Sequence, residues 1–174
     1  RHERYINMTH HTYFNLSGEN NVCNHILKVP ANELFLLDKE SIPVRPMQVY
    51  NTIFDLRTPQ NLNHLLKKEH EQFSFTKHID HPFNTEGNSV LLCNKASNIC
   101  VSVKSNASKT IIYLGNHLGR KRYKMSNNNR LEDYAGIAIE PQELPNCVNL
   151  LEGKELYTYD NPFERTITYE VSHF

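Results

Sequence analysis

Short apolar and β-branched runs, separated by turn residues, constrain the fold of this chain more than any other feature. Three such runs occupy residues 90–93, 99–103 and 110–114, with Asn, Ser, Gly and Lys between them. Their apolar period is closer to two than to 3.6, which is typical of β-strands. We therefore predict three consecutive antiparallel strands in this part of the chain.

The same pattern recurs elsewhere. We predict further strands over residues 4–9, 25–29, 136–139 and 166–171. In the last of these, polar and apolar side chains alternate, as they do in a half-buried strand. Many short strands with turn residues between them predict an all-β sandwich or barrel.

Helix signals are weaker. Residues 33–37 are too few for a helix, whereas residues 58–71 begin with Thr58 and Pro59 as N-cap and first helical residue. We predict one short helix over residues 58–71.

The charge balance limits the classes of partner. Nineteen Lys and Arg residues balance 19 Asp and Glu residues in this 174-residue chain, so it lacks the positive footprint of proteins that bind nucleic acid or anionic membranes. No apolar run approaches the about 20 residues that span a bilayer. We expect a soluble, cytoplasmic protein with a small or uncharged partner, and no nucleic acid or membrane.

The four cysteines do not form a recognisable metal or disulfide pattern. Cys23, Cys93, Cys100 and Cys147 are widely spaced, except that Cys100 follows Cys93 closely. We expect free thiols in a reducing compartment.

Two segments carry side chains suited to proton transfer. Residues 7–18 include His10 and His11, only one of which can face a given site from an extended backbone. Glu140 ends an apolar run and is followed by Pro141, a position where partial burial raises the basicity of a carboxylate. A hydrogen-bonded structural histidine and a salt-bridged carboxylate are the alternatives.

Two other segments are less suited to chemistry. Residues 77–83 contain two histidines and an aspartate, but not in a spacing typical of metal ligands, so we predict no metal site. Residues 119–130 are rich in Lys and Arg, and with one aromatic residue among them a solvated loop is favoured over a phosphate or RNA site.

In their order along the chain, five segments resemble the galactose mutarotase (aldose 1-epimerase) family. Residues 9–16 (THHTYFNL) are similar to the family's T-N-H-S-Y-F-N-L segment, with His10 where asparagine is usual and Thr12 in place of serine. Residues 54–57 (FDLR) resemble F-D-F-R, residues 79–83 (IDHPF) resemble G-Y-D-H-x-F, and residues 113–116 (YLGN) resemble Y-T-G-N. Residues 136–149 match G-x-x-x-E-x-Q-x-x-P-x-x-x-N.

The resemblance implies a large antiparallel β-sandwich that interconverts the α and β anomers of a free aldohexose, such as galactose or glucose, without a cofactor. It implies that Glu140 is the catalytic base and His11 the catalytic acid. Asp80, Tyr13 and Gln142 would bind or line the site for the sugar. Acid–base ring opening suits these residue types.

The resemblance also implies that residues 1–174 are the C-terminal part of one such domain, because family members are about twice as long. The N-terminal half would complete the sandwich and the sugar site. We expect either a longer native polypeptide or a second chain, such as a homodimer partner, over the uncovered surface.

Two other functions remain open at this point. The chain could be a catalytically silent sugar-binding or regulatory module on the same fold. It could also act on hexose 6-phosphates, for which the basic residues 120–124 are the only support.

Overall fold

The computed structural model describes residues 3–121, 123–125, 130–150 and 156–173 of the chain. These residues form two sheets whose neighbouring strands are all antiparallel. The strands are β1 (Tyr13–Phe14), β2 (His25–Lys28), β3 (Glu33–Leu37), β4 (Pro43–Gln48), β5 (Gln60–Asn61), β6 (Asp80–Phe83), β7 (Val90–Asn94), β8 (Ile99–Ser105), β9 (Lys109–Tyr113), β10 (Ile137–Gln142) and β11 (Ile167–His173).

One sheet has the order β1-β10-β9-β6-β3-β4 and the other the order β11-β8-β7-β2-β5. Apolar side chains from both sheets form one core, in which Leu34, Ile112 and Ile139 of the first sheet meet Leu27 and Leu92 of the second. All five are fully buried. Two facing sheets around one apolar core confirm the predicted β-sandwich.

The pairing of the three runs at residues 90–114 differs from the prediction. β7 and β8 form a hairpin, but β9 lies in the other sheet, between β10 and β6. β11 occupies the second edge of β8 over seven residue pairs. The chain therefore changes sheet between β8 and β9, a corner that the period-two pattern does not encode.

β11 is less buried than its alternating sequence predicts. Ile167 and Tyr169 pack against the core, whereas Val171 remains 69% exposed. The strand lies at the end of its sheet, where packing covers only part of its apolar face.

The strand predicted at residues 4–9 is wrong. Within the described residues Arg4 makes one isolated bridge with Tyr157. Farther along, the Asn7 side chain donates to the Glu143 carbonyl at 3.0 Å and accepts from the Glu143 N–H at 2.9 Å. A side-chain amide thus takes the place that a strand partner would have.

The helix predicted at residues 58–71 is also wrong in its bounds. Gln60 and Asn61 pair with β2 as β5, so helix α1 spans only Leu62–Leu65, with Asn61 as its N-cap. Asn61 Oδ1 accepts from the Asn63 N–H at 2.9 Å. A second short helix, α2, spans Phe73–Thr76, and 3-10 turns lie at Leu118–Lys121 and Cys147–Asn149. None of the helices among the described residues is long and apolar enough to cross a membrane.

The expectation of four free thiols is wrong for one pair. Cys93 and Cys100 are joined by a disulfide, while Cys23 and Cys147 are free. The register of the β7–β8 hairpin places Cys93 directly opposite Cys100. The pairing follows from this register, which the spacing of the cysteines alone does not reveal.

Candidate active site

Strand register gathers the candidate residues on one face of the six-stranded sheet. Tyr13 pairs with Ala138, Ala138 with Tyr113, and Tyr113 with Asp80, across β1, β10, β9 and β6. Cross-strand partners point to the same side of a sheet, and so does Glu140, two residues beyond Ala138. The intervening residues, such as Ile139 and Ile112, point into the core.

His11 and Glu140 are in direct contact. His11 Nε2 lies 3.2 Å from Glu140 Oε1. The Glu140 side chain is 10% exposed, whereas that of His11 is 48% exposed. The carboxylate is therefore largely screened from water while the imidazole stays open to a molecule arriving from solvent.

The second histidine faces elsewhere. His10 Nδ1 lies 3.0 Å from the Tyr169 hydroxyl of β11 and also within hydrogen-bonding distance of Thr12 Oγ1. The expectation that only one of the two adjacent histidines faces the site is confirmed.

Two carboxyl groups near His11 have raised pKa values. Burial raises the pKa of Glu140, His11 opposes that rise, and the negative charge of Asp80 adds to it. Burial also raises the pKa of Asp80 to about 6, again opposed by His11. Carboxyl groups with such pKa values bind and release protons closer to neutral pH than solvated ones do.

Two tyrosine rings stand beside the pair. The rings of Tyr13 and His11 are 4.8 Å apart, and the Tyr113 ring lies 6.2 Å from Tyr13 and 6.4 Å from His11. The Tyr113 hydroxyl accepts from the His117 N–H at 3.1 Å. We did not single out Tyr113 from the sequence, although the motif at residues 113–116 contained the signal.

Gln142 is the most distant of the predicted site residues along its strand. It ends β10, pairs with Lys109 and is partly buried. Its position is two residues beyond Glu140 on the same face, or about 7 Å farther along the strand.

Buried polar contacts hold the segment that carries His11. His25 is fully buried, and its Nε2 accepts from the Leu16 N–H at 2.8 Å. Its Nδ1 lies 3.2 Å from the Val22 carbonyl, so the ring is neutral with the proton on Nδ1. Burial lowers the pKa of His25, which maintains this state.

The close approach of residues 115 and 136 requires a glycine at position 115. Gly115 has φ of +75°, and a Cβ there would collide with the Gly136 carbonyl. Asn116, which follows, is fully buried and donates to the Thr76 and Ile79 carbonyls, each at 3.0 Å. These contacts fix the chain immediately before Asp80.

The histidine side chains of residues 77–83 do not converge with the Asp80 carboxylate on one site. His78 Nε2 contacts the Leu65 carbonyl at 3.1 Å, and His81 Nε2 contacts Gln72. Over the described ranges there is no group of three or more His, Cys, Asp or Glu side chains that could hold a metal ion. Within the basic residues 120–124, Arg122 lies outside the described residues.

Known proteins resemble this chain in sequence. The Aldose 1-epimerase of Haemophilus influenzae is 31% identical over 152 residues, which cover 83% of this chain and 44% of that protein. The Galactose mutarotase of Pongo abelii is 29% identical over 160 residues, which cover 83% and 43%. The chain thus spans less than half the length of these curated relatives.

Solved structures resemble it in fold. Galactose 1-epimerase from Lactobacillus acidophilus superposes with a TM-score of 0.78 at 28% identity, covering 98% of this chain and 50% of that one. An aldose epimerase homologue from C. elegans gives a TM-score of 0.81 at 22% identity, over 97% and 51%. The sequence model of the Aldose 1-epimerase family matches residues 3–170. The chain therefore belongs to the aldose 1-epimerase family.

Proposed function

We propose that this chain carries the acid–base pair of an aldose 1-epimerase that interconverts the anomers of a free aldohexose such as galactose or glucose. The observation that carries the proposal is the contact between His11 and Glu140 at 3.2 Å, with Glu140 mostly buried and His11 half-exposed. Family membership supports a sugar substrate.

The reaction uses the two groups in opposite senses. Glu140 as carboxylate takes the proton from the anomeric hydroxyl, and protonated His11 gives a proton to the ring oxygen as the bond from C1 to that oxygen breaks. The open-chain aldehyde turns about its C1–C2 bond. The same two groups, with roles reversed, then close the ring on the other face. The raised pKa of Glu140 makes it a stronger base than a solvated carboxylate.

The remaining site residues bind and orient the sugar. Asp80 accepts hydrogen bonds from sugar hydroxyls, which are strong when the acceptor is charged. Tyr13 lines the site beside His11, and Gln142 serves a hydroxyl farther along β10. No cofactor is required by this chemistry.

We further propose that residues 1–174 are the C-terminal part of one mutarotase-like domain, as their coverage of about half of each solved relative supports. A homodimer and a cytoplasmic location stay predictions. A catalytically silent sugar-binding module is the alternative, supported by the same partial coverage.

Polarimetry tests the proposal. Freshly dissolved α-D-galactose and α-D-glucose are followed with the unaltered chain, with His11→Asn, and with His173→Asn as a control at an exposed position of β11. We expect acceleration by the parent and the control, and a loss of about 10²–10⁴-fold in His11→Asn. Galactose binding without acceleration would instead support the silent module, or a fragment that needs the missing half of its domain.

A further inference from the structure

We propose that His81 is a positioning residue, which holds the backbone of Asp80 so that the Asp80 carboxylate stays at the sugar site. The functional meaning of this role rests on the proposed function. His81 follows Asp80 in β6 and points to the opposite side of the sheet, into the core.

The contact is direct, and the ring that makes it is buried. The Asp80 backbone N–H donates to His81 Nδ1 at 3.0 Å, and His81 is fully buried. The other ring nitrogen, Nε2, lies 3.1 Å from Gln72 Oε1. The imidazole therefore bridges the first residue of β6 to the residue that precedes helix α2.

The hydrogen bonds of Gln72 determine which nitrogen of His81 carries the proton. Gln72 Oε1 accepts from the Leu37 N–H at 2.8 Å, and Gln72 Nε2 donates to the Leu37 carbonyl at 3.1 Å. Because the Leu37 N–H can only donate, the atom facing it is the amide oxygen. His81 Nε2 must then be the donor, which leaves the lone pair on Nδ1 free to accept from Asp80.

The surroundings keep His81 neutral. Burial is the main cause that lowers the pKa of His81 to about 3, and the nearby His70 and His78 side chains lower it further. The Phe54 ring packs 5.1 Å from it. A protonated ring would turn a second N–H toward that of Asp80, so the neutral state is the one that fits.

The alternation of the strand connects this contact to the site. Asp80 and His81 lie on opposite faces, so a shift of the Asp80 backbone moves its carboxylate relative to Tyr113, its cross-strand partner. A small displacement of a binding group weakens its hydrogen bonds to a ligand. Removing the acceptor would also leave the partly buried Asp80 N–H without this partner.

Two substitutions separate the roles of the two nitrogens. In His81→Asn the amide oxygen stands near the place of Nδ1 and can accept from Asp80. In His81→Gln the amide nitrogen stands near the place of Nε2 and can donate to Gln72, but the acceptor for Asp80 is lost. If His81 only stabilised the core through its contact with Gln72, the glutamine variant would keep a KM closer to that of the parent than the asparagine variant would.

We expect His81→Asn to keep the KM for D-galactose within about threefold of the parent, and His81→Gln to raise it by about tenfold or more with a smaller change in kcat. We also expect the amide hydrogen exchange of Asp80 to accelerate in His81→Gln only. Equal effects of the two variants, no effect of either, or a larger effect of His81→Asn would overturn the proposal.

A measurement on the unaltered protein decides the matter if neither variant folds. The ring ¹⁵N signals of His81 must report a neutral imidazole with the proton on Nε2, and a proton on Nδ1 would overturn the proposal. This measurement and the exchange of Asp80 do not depend on turnover. A parent without mutarotase activity would therefore contradict the proposed function and leave the test of His81 intact.

Discussion

Glu140 and Glu143 are near neighbours in sequence, yet the structure places them in opposite electrostatic environments. Burial raises the pKa of Glu140, and His11 only partly opposes this. Burial also opposes the charge of Glu143, but hydrogen bonds from Ser108 and Arg165 outweigh it and lower the pKa of Glu143. The Ser108 Oγ donates to its carboxylate at 2.6 Å and Arg165 at 2.9 Å.

The difference shows that partners, rather than residue type or strand position, decide what a buried carboxylate can do. Glu143 holds its charge against two strong donors, so it ties residues 108 and 165 to the end of β10. Glu140 has the half-exposed His11 side chain as its contact. Of the two glutamates, Glu140 is therefore the one that we propose accepts a proton from a bound molecule.

The largest expected effect is on catalysis, and it separates the two glutamates. Glu140→Gln should slow mutarotation of α-D-galactose by about 10²–10⁴-fold, because a general base is removed. Glu143→Gln, measured under conditions where it is folded, should stay within a few-fold of the parent. Similar losses in both variants, seen by polarimetry, would show that the contrast has no bearing on catalysis.

Asp80 should affect sugar binding next most strongly. We expect Asp80→Asn to raise the KM for galactose by about 10–100-fold, because hydrogen bonds to a charged group are lost. The pKa of Asp80 is about 6, so the parent's KM should also rise as the pH falls below that value. KM values of the parent and of Asp80→Asn, measured over about pH 5–8, check this. If the KM of Asp80→Asn rose in acid as much as that of the parent, the rise would come from another group.

Glu143 should matter for stability. We expect Glu143→Gln to lower the free energy of unfolding by about 1–3 kcal/mol at neutral pH, because Arg165 and Ser108 lose a charged partner. A group with a lowered folded-state pKa stabilises above its unfolded pKa, and this contribution is lost as the pH falls through the folded value.

Urea unfolding of parent and variant at several pH values measures this difference. It should be largest near neutrality and vanish in acid. Glu170→Gln, at an exposed position of β11, is the matched control and should leave stability unchanged. A difference between Glu143→Gln and the parent that did not depend on pH would argue against the ion pair as its source.

The smallest expected effect is on the stability of Glu140→Gln, and its sign is opposite to that expected for Glu143→Gln. A carboxyl with a raised folded-state pKa stabilises the fold only below that pKa, and this contribution is lost as the pH rises through it. Glu140→Gln should therefore unfold at a slightly higher urea concentration than the parent at neutral pH, with the gain shrinking in acid. A clear loss of stability at neutral pH would mean that the contact with His11 outweighs the burial of the charge.

Local patterns predicted most strands but not their neighbours. The runs at residues 90–93 and 99–103 pair with each other as predicted, since a short turn joins them. Residues 110–114 pair with β10 and β6 instead. Five strands were missed, namely β1, β3, β4, β5 and β6. β4 contains two prolines, which are tolerated because it lies at the end of its sheet.

In the candidate site, too, some residues were indicated by the sequence and others were not. The motifs indicated His11, Glu140 and Asp80, and period two places Glu140 and Gln142 on one face of a strand. The roles of Tyr113, His25 and His81 were not predicted. Tyr113 meets side chains that are far away in sequence, and the contacts of His25 and His81 depend on how the backbone folds around each ring.

The sequence by itself determined the β-rich class, the family resemblance and the residue types available for proton transfer, since these are properties of local pattern and motif order. Only the tertiary structure decided that His11 meets Glu140, that Cys93 faces Cys100, and that Arg165 and Ser108 hold the charged carboxylate of Glu143. These facts depend on strand register and sheet order, which are set by packing between distant segments.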